Sequence, residues 1–177
     1  MIDYAKIAKA VSYYKNHGYE YIEVPWFVSQ ETIDVTRPPG ARYFDTFAGH
    51  LVASGEQSFI EIRKTLKEGH RYQCVTPCFR DEAHDDLHRL YFLKQELILV
   101  GEFGNKELAD MIDTAMGFFD LYGDPKVVQT DIGFDIFIND IEVGSYGLRR
   151  HEDFHWVYGT GCAEPRLTQS LHHSSSS

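Results

Sequence analysis

The sequence is short of cysteines, of clustered basic residues and of long apolar runs, and each shortage excludes something. Its three cysteines, Cys74, Cys78 and Cys162, are an odd number at spacings that match no zinc pattern, so neither a disulfide framework nor a structural zinc module is expected. Reduced thiols in a cytoplasmic setting are the expectation, with Cys74 and Cys78 placed to share one strand face. No apolar run approaches the ~18 residues of a membrane span, and the N-terminal stretch MIDYAKIAKAVSYYKNHG has no signal-peptide core, which argues against membrane insertion and secretion. Basic residues number 17 against 27 acidic ones, a formal net charge of -10. The densest basic run is only Arg149, Arg150 and His151, so little rewards non-specific binding to a polyanionic nucleic acid. No internal repeat is evident.

What is present is the material for one well-packed domain. The 177 residues are 43% hydrophobic and 14% aromatic, enough to bury a sizeable core. Ile2, Tyr4, Ile7, Ala8, Val11 and Tyr14 recur near a helical period and stop at Gly18, which predicts an N-terminal amphipathic helix with a glycine stop. The stretch YEYIEVPWFV is rich in strand formers but contains Pro25, so that strand is expected at an edge or to end at the proline. TRPPGAR, residues 36–42, reads as a loop, YFDTFAGHLVASG as a hairpin turning near Gly49, and SFIEIRKTLKEG as a helix ending at Gly69. RYQCVTPCFRDE and YFLKQELILVGEF read as an antiparallel pair, NKELADMIDTAMGFFDLY as a helix with one broad apolar face, and KVVQTDIGFDIFINDIEVGSYG as strands turning at Asn139-Asp140. HEDFHWVYGTGCAEPRL ends in a strand-to-helix junction. The predicted fold class is α+β, a mostly antiparallel sheet flanked by helices. One domain is expected over residues 1–167, followed by a polar, disordered tail over 168–177.

The segment CFRDEAHDDLHRLYF, Cys78 to Phe92, carries the chemistry. It places Arg80, whose rigid fork of donors suits a phosphate, beside a polar loop. Glu82 shares its strand face by the two-residue period and would orient that arginine or accept from an amino group. Across the hairpin Phe92 offers an aromatic face to a base, with His88 or Arg89 in reach of outer phosphates. The plainer alternative is an Arg80–Glu82 surface pair on a polar turn with Phe92 in the core. Trp26 and Trp156 read as core or interface residues. His151 and His155 form a pair without an evident third ligand, which is more often structural than metal-binding.

Those residues resemble motif 2 of the class II aminoacyl-tRNA synthetases, an F-R-x-E sequence, a variable loop, then H/R-x-x-x-F, matched by Phe79-Arg80-Asp81-Glu82 and His88 to Phe92. HGYEYIEVPWFV, residues 17–28, is similar to motif 1, and YGTGCAEPRL, residues 158–167, resembles motif 3, with Pro165 where the family usually has Glu or Gly. The resemblance implies the class II catalytic fold and ATP with Mg²⁺ as cofactors. Arg80 would hold the α-phosphate, His88 or Arg89 would approach the γ-phosphate, Phe92 would stack on adenine, Gly159 and Gly161 would let the strand pass close beneath it, and Arg166 would reach the γ-phosphate from the other side. Ser54-Gly55-Glu56 is similar to the family's T-x-E loop for a substrate amino group, and Glu142-Val143-Gly144-Ser145 to an E-x-x-S that helps hold Mg²⁺. Gln95, Glu96, Asp131 and Tyr146 are candidates for a substrate pocket.

The resemblance therefore implies ATP-dependent adenylation of a small amino acid or related carboxylate, in a homodimer built through residues 17–28. With no tRNA-contacting domain evident and no basic surface run, tight tRNA binding by this chain alone is not expected. Two alternatives stay open: a catalytically reduced paralogue acting as a ligand-binding or regulatory subunit, with Pro165 a sign of the loss, and a minimal synthetase completed by a partner.

Overall fold

The structure is a computed structural model that describes residues 1–81 and 89–173. Helix α1 (Tyr4–Asn16) is started by Asp3, whose carboxylate accepts from the backbone N–H groups of Ala5 and Lys6, and is followed by Gly18 at φ +85°, the left-handed conformation that glycine adopts without steric cost. Strand β1 (Glu20–Tyr21) then pairs in parallel with a later strand, and the chain leaves the sheet before Pro25. Strand β2 (Phe27–Val28), helix α2 (Gln30–Thr36), β3 (Asp45–Thr46) and β4 (Gly49–Leu51) follow, with a small three-stranded sheet in the order β2-β4-β3. Helix α2 has no strong apolar stripe. Ser29 caps it, accepting from the Thr32 N–H, and Thr32 and Ile33 are its buried contacts.

Helix α3 (Gly55–Glu61) is shorter than the sequence predicts. It begins at Gly55, ends at Glu61 and gives way to a 3₁₀ turn over Arg63–Thr65, so Gly69 turns the chain into the next strand rather than ending a helix. Strands β5 (Arg71–Phe79) and β6 (Tyr91–Val100) are the expected antiparallel pair, in register from Arg71 opposite Leu99 to Phe79 opposite Tyr91. Helix α4 (Asn105–Phe119) follows, then β7 (Lys126–Gln129), β8 (Phe134–Ile138), β9 (Ile141–His151), β10 (Phe154–Glu164) and helix α5 (Arg166–His172). Asn139 and Asp140 both have positive φ, as a tight two-residue hairpin turn requires. Residues 168–172 belong to α5, where Leu167 and Ser170 are buried, and not to the polar, disordered tail expected from residue 168 onward. Residues 174–177 lie outside the described residues.

The main sheet runs β1-β5-β6-β10-β9-β8-β7, antiparallel except for the β1–β5 pair. Its two faces have different fates. One packs on α1 and α4: Leu97, Leu99, Tyr146 and Val157 meet Tyr14, Met111 and Phe118 in the larger core. On the other, Tyr72, Ile98, Val100 and Trp156 lie under Phe59 and Ile60 of α3. The two-residue period sends Phe92, Lys94 and Glu96 of β6 to this second face, beyond Ile98 and Val100. A strand that is apolar at one end and polar at the other on a single face marks where the α3 cover stops and a cleft starts.

Candidate active site

Two adjoining cavities occupy the polar half of that second face. The first, of about 110 Å³, includes Arg80, Phe92, Glu142, Thr160, Ala163 and Arg166 in its wall. The second, of about 360 Å³, includes Ser54, Glu56, Glu96, Arg149 and Tyr158. Among the described residues, only Arg80, Lys94 and Ser145 line both.

Arg80 emerges where β5 ends. Its backbone N–H donates to the Leu90 carbonyl at 2.9 Å, closing the hairpin neck, its Nε donates to the Ala53 carbonyl at 3.3 Å, and its guanidinium lies 5.0 Å from the centroid of the Phe92 ring. Phe92 is thus at the cleft wall rather than in the core. Asp81 forms its ion pair with Arg42. The Arg80–Glu82 surface pair and the roles of Glu82 and His88 fall outside the described residues, whereas Arg89 is exposed at the cleft rim.

The opposite wall comes from β9, β10 and α5. A bulge in β10 shifts the register between Thr160 and Cys162, leaving Gly161 as the extra residue. Ala163 thereby joins Thr160 at the cleft while Cys162 enters the core. Gly161 is required for another reason: a Cβ there would fall 1.5 Å from Gln95 Oε1, and one on Gly159 would meet Tyr146 and Met111. Both glycines make room on the helix side of the sheet, which corrects the expectation that they open space beneath a base. Pro165 does not abolish the helix after motif 3. It sits at the N-cap of α5 and leaves Arg166 in the first turn, at the cleft.

Glu142 lies at the cleft at the start of β9, and Ser145 three residues on, where its N–H donates to Thr160 Oγ1 at 3.3 Å. Burial and the neighbouring Asp135 raise the Glu142 carboxyl above its ordinary pKa, against the opposing pull of Arg166, Lys94 and Arg80. This is a carboxylate short of positive charge. Among the described residues no three His, Cys, Asp or Glu side chains gather to hold a metal unaided. A hard oxygen donor facing a cleft that Arg80 and Arg166 also line nevertheless suits a Mg²⁺ ion, which typically takes one or two protein carboxylates and completes its shell with phosphate and water.

In the larger cavity the side chains are tied to each other. Glu56 is buried at the first turn of α3; its Oε1 accepts from the Trp156 indole at 2.7 Å, and its Oε2 pairs with Arg149, whose guanidinium also stacks on Tyr158 at 4.4 Å. Burial raises the Glu56 pKa, Arg149 lowers it, and the nearby Glu96 raises it again, with a net upward shift. Glu96 accepts the Gly55 N–H on Oε2 at 2.9 Å and pairs with Lys94 through Oε1 at 2.9 Å. Ser54 precedes α3 at the cavity wall. Of the remaining substrate-pocket candidates, Gln95 and Tyr146 point to the opposite face: Gln95 donates to Gln73, and Tyr146 donates to the Thr160 carbonyl within the helix-side core. Asp131 is exposed and lines neither cavity. The sequence reading missed Lys94 and Arg149, although a Lys and a Glu two residues apart on an apolar strand already signal a polar face.

The three cysteines are buried and unbridged, and burial pushes the Cys78 thiol up to about 11. An elevated thiol in a core is inert toward both metals and electrophiles at neutral pH. No helix among the described residues is long and apolar enough to cross a membrane.

No family model matches the sequence, and no curated protein matches it significantly. Solved structures do. A pyrrolysyl-tRNA synthetase from Desulfitobacterium hafniense superposes with a TM-score of 0.74 at 15% identity, over 97% of this chain and 70% of that one. A second structure from that organism, described as PylSc, a pyrrolysyl tRNA synthetase, gives 0.71 at 16% identity over 97% and 66%. A cytoplasmic serine-tRNA ligase from Naegleria fowleri, in complex with AMP, gives 0.70 at 16% identity over 94% and 51%. This chain thus spans 51–70% of the length of these longer proteins. Its architecture is the catalytic-core fold of the class II aminoacyl-tRNA synthetases.

Proposed function

We propose that the chain activates an amino acid or similar small carboxylate by ATP-dependent adenylation. The observation that carries this reading is the convergence of Arg80, Phe92, Glu142 and Arg166, from four separate elements, on one cleft that adjoins a larger polar cavity. ATP would lie in the smaller cleft with adenine against Phe92, its α-phosphate on Arg80 and its outer phosphates toward Arg166. The Arg80 guanidinium over Phe92 would give way to the base and turn its donors onto phosphate. Glu142 and Ser145 would hold Mg²⁺, which when bound offsets the charge that grows on the departing pyrophosphate. The carboxylate substrate would occupy the larger cavity beside Ser54, Glu56 and Glu96. Glu56 already has a partner on each oxygen, so it would receive a substrate amino group only as a further contact.

No side-chain nucleophile is needed, since positioning and charge compensation lower the barrier to attack on the α-phosphorus. We also propose a two-fold dimer through residues 17–28, whose Tyr21, Trp26 and Phe27 are partly exposed around a shallow apolar hollow. A net charge of -10 leaves little counterion release to drive tight tRNA binding by this chain alone. The test is trapping of the acyl adenylate by hydroxylamine with ATP, Mg²⁺ and each amino acid in turn. Hydroxamate formation with at least one supports the proposal; ATP binding without hydroxamate from any would favour a ligand-binding paralogue.

A further inference from the structure

The wall shared by the two cavities contains a lysine that neither the motif pattern nor the fold comparison assigns. Lys94 projects from the middle of β6, its side chain only 13% exposed, with Nζ 2.9 Å from Glu96 Oε1. Glu96 is itself fixed, because its other oxygen accepts the Gly55 N–H at 2.9 Å. That bond depends on glycine: a Cβ on residue 55 would lie 2.9 Å from Cys74 Sγ and 3.2 Å from Glu96 Cβ, so any side chain would push the start of α3 away. Gly55, Glu96 and Lys94 therefore form a chain that sets the ammonium in one place. Burial is the largest single influence and lowers its pKa, but the charge and hydrogen bond of Glu96, with Cys78, together more than offset it and the net shift is upward, so the group is charged at neutral pH.

A buried ion pair gives a fold no advantage over apolar packing, since the desolvation of both charges offsets their attraction. The same face of β6 carries Ile98 and Val100 two turns of the pleat further on, so apolar residues are accommodated there. The pair is better explained by what it faces. Lys94 borders both the cleft of Arg80 and Glu142 and the cavity of Glu56 and Glu96, and Glu96 takes one of its three donors.

We propose that Lys94 contacts both anions of the reaction, the α-phosphate of ATP and the carboxylate of the substrate, at the boundary between the cavities, with Glu96 as its positioning residue. This rests on the adenylation reading above. In the step, a carboxylate oxygen supplies the electron pair for the new bond to the α-phosphorus. The bond from that phosphorus to the bridging oxygen breaks, and its electron pair leaves with pyrophosphate. No proton moves. Two anions must approach within bonding distance, and a compact ammonium between them offsets their repulsion while the planar Arg80 fork holds the phosphate.

The test uses AMP and adenosine as probes, measured by calorimetry on the whole chain, because they differ only by the phosphate and need no knowledge of the substrate. Lys94→Met is expected to weaken AMP at least tenfold and adenosine less than twofold, and Lys94→Arg to recover part of the AMP loss. Since Lys94→Met strands the Glu96 carboxylate, the neutral pair Lys94→Met with Glu96→Gln is measured alongside and should show the same selective loss. Unchanged AMP affinity in both variants, or parallel loss of AMP and adenosine, would overturn the assignment and leave adenylation standing. Failure of the unaltered protein to bind either probe would instead remove the adenylation reading, and this inference with it.

Discussion

The indole of Trp156 donates to Glu56 Oε1 at 2.7 Å, and Arg149 pairs with the other oxygen of the same buried carboxylate. One acid thus ties β9, β10 and α3 together beneath the larger cavity. A buried acceptor that loses its donor keeps the full penalty of desolvation, typically about 1–3 kcal/mol. Trp156→Phe should therefore lower Tm, by about 2–4 °C for each kcal/mol lost in a chain of this size, as read by scanning calorimetry. Arg149→Met should cost more, because it leaves a buried charge unpaired.

Arg80 gives a prediction on binding. A charge-assisted hydrogen bond contributes about 1.5–3 kcal/mol, so Arg80→Ala should weaken ATP at least tenfold by calorimetry. Equal affinity in mutant and wild type would remove the α-phosphate from this position.

Most of the architecture was legible in the sequence because periodicity and punctuation agreed. The helix ending at Gly18, the β5–β6 pair and the Asn139-Asp140 turn each had a local signal. What was not legible depended on tertiary context. The bulge at Gly161 follows from the phase of β10 against β6, and it decides that Ala163, not Cys162, reaches the cleft. Gln95 and Tyr146 were misplaced because neighbouring residues on a strand face opposite sides, and residue type does not announce which side is the site. Lys94 was overlooked since its meaning depends on two cavities meeting at one side chain. Arg80 and Phe92 stand out by residue type and Glu142 and Arg166 only by the motif resemblance, and that all four line one cleft follows from the order of the strands rather than from any local signal.

Glu142 supplies a pH prediction. Its folded-state pKa lies above the ordinary carboxylate value, so the folded chain binds more protons than the unfolded one between those two values. Stability from this group consequently falls as pH rises through that window. Glu142→Gln should raise Tm at pH 7 relative to wild type while leaving Tm nearly unchanged at pH values below the ordinary carboxylate range. The same variant should lose Mg²⁺-dependent enhancement of ATP binding. A lower Tm at pH 7 would contradict the reading of Glu142 as a carboxylate held at a cost for function.

Assembly is tested by light scattering, which should give twice the mass of one chain at micromolar concentration. Trp26 is half exposed, so Trp26→Glu should shift the population toward monomer without lowering Tm of the monomeric core. A wild-type monomer that persists at high concentration would exclude the interface.

In the proposed reaction one cleft holds both ends of a triphosphate for attack by a carboxylate. The most direct measurement is amino-acid-dependent exchange of labelled pyrophosphate into ATP, screened over the twenty amino acids and repeated for Arg166→Ala and Glu142→Ala. Exchange that requires a particular amino acid and falls at least tenfold in each variant is the expected result. Exchange indifferent to both substitutions, or none with any amino acid in a wild-type protein that binds ATP, would exclude adenylation at this cleft.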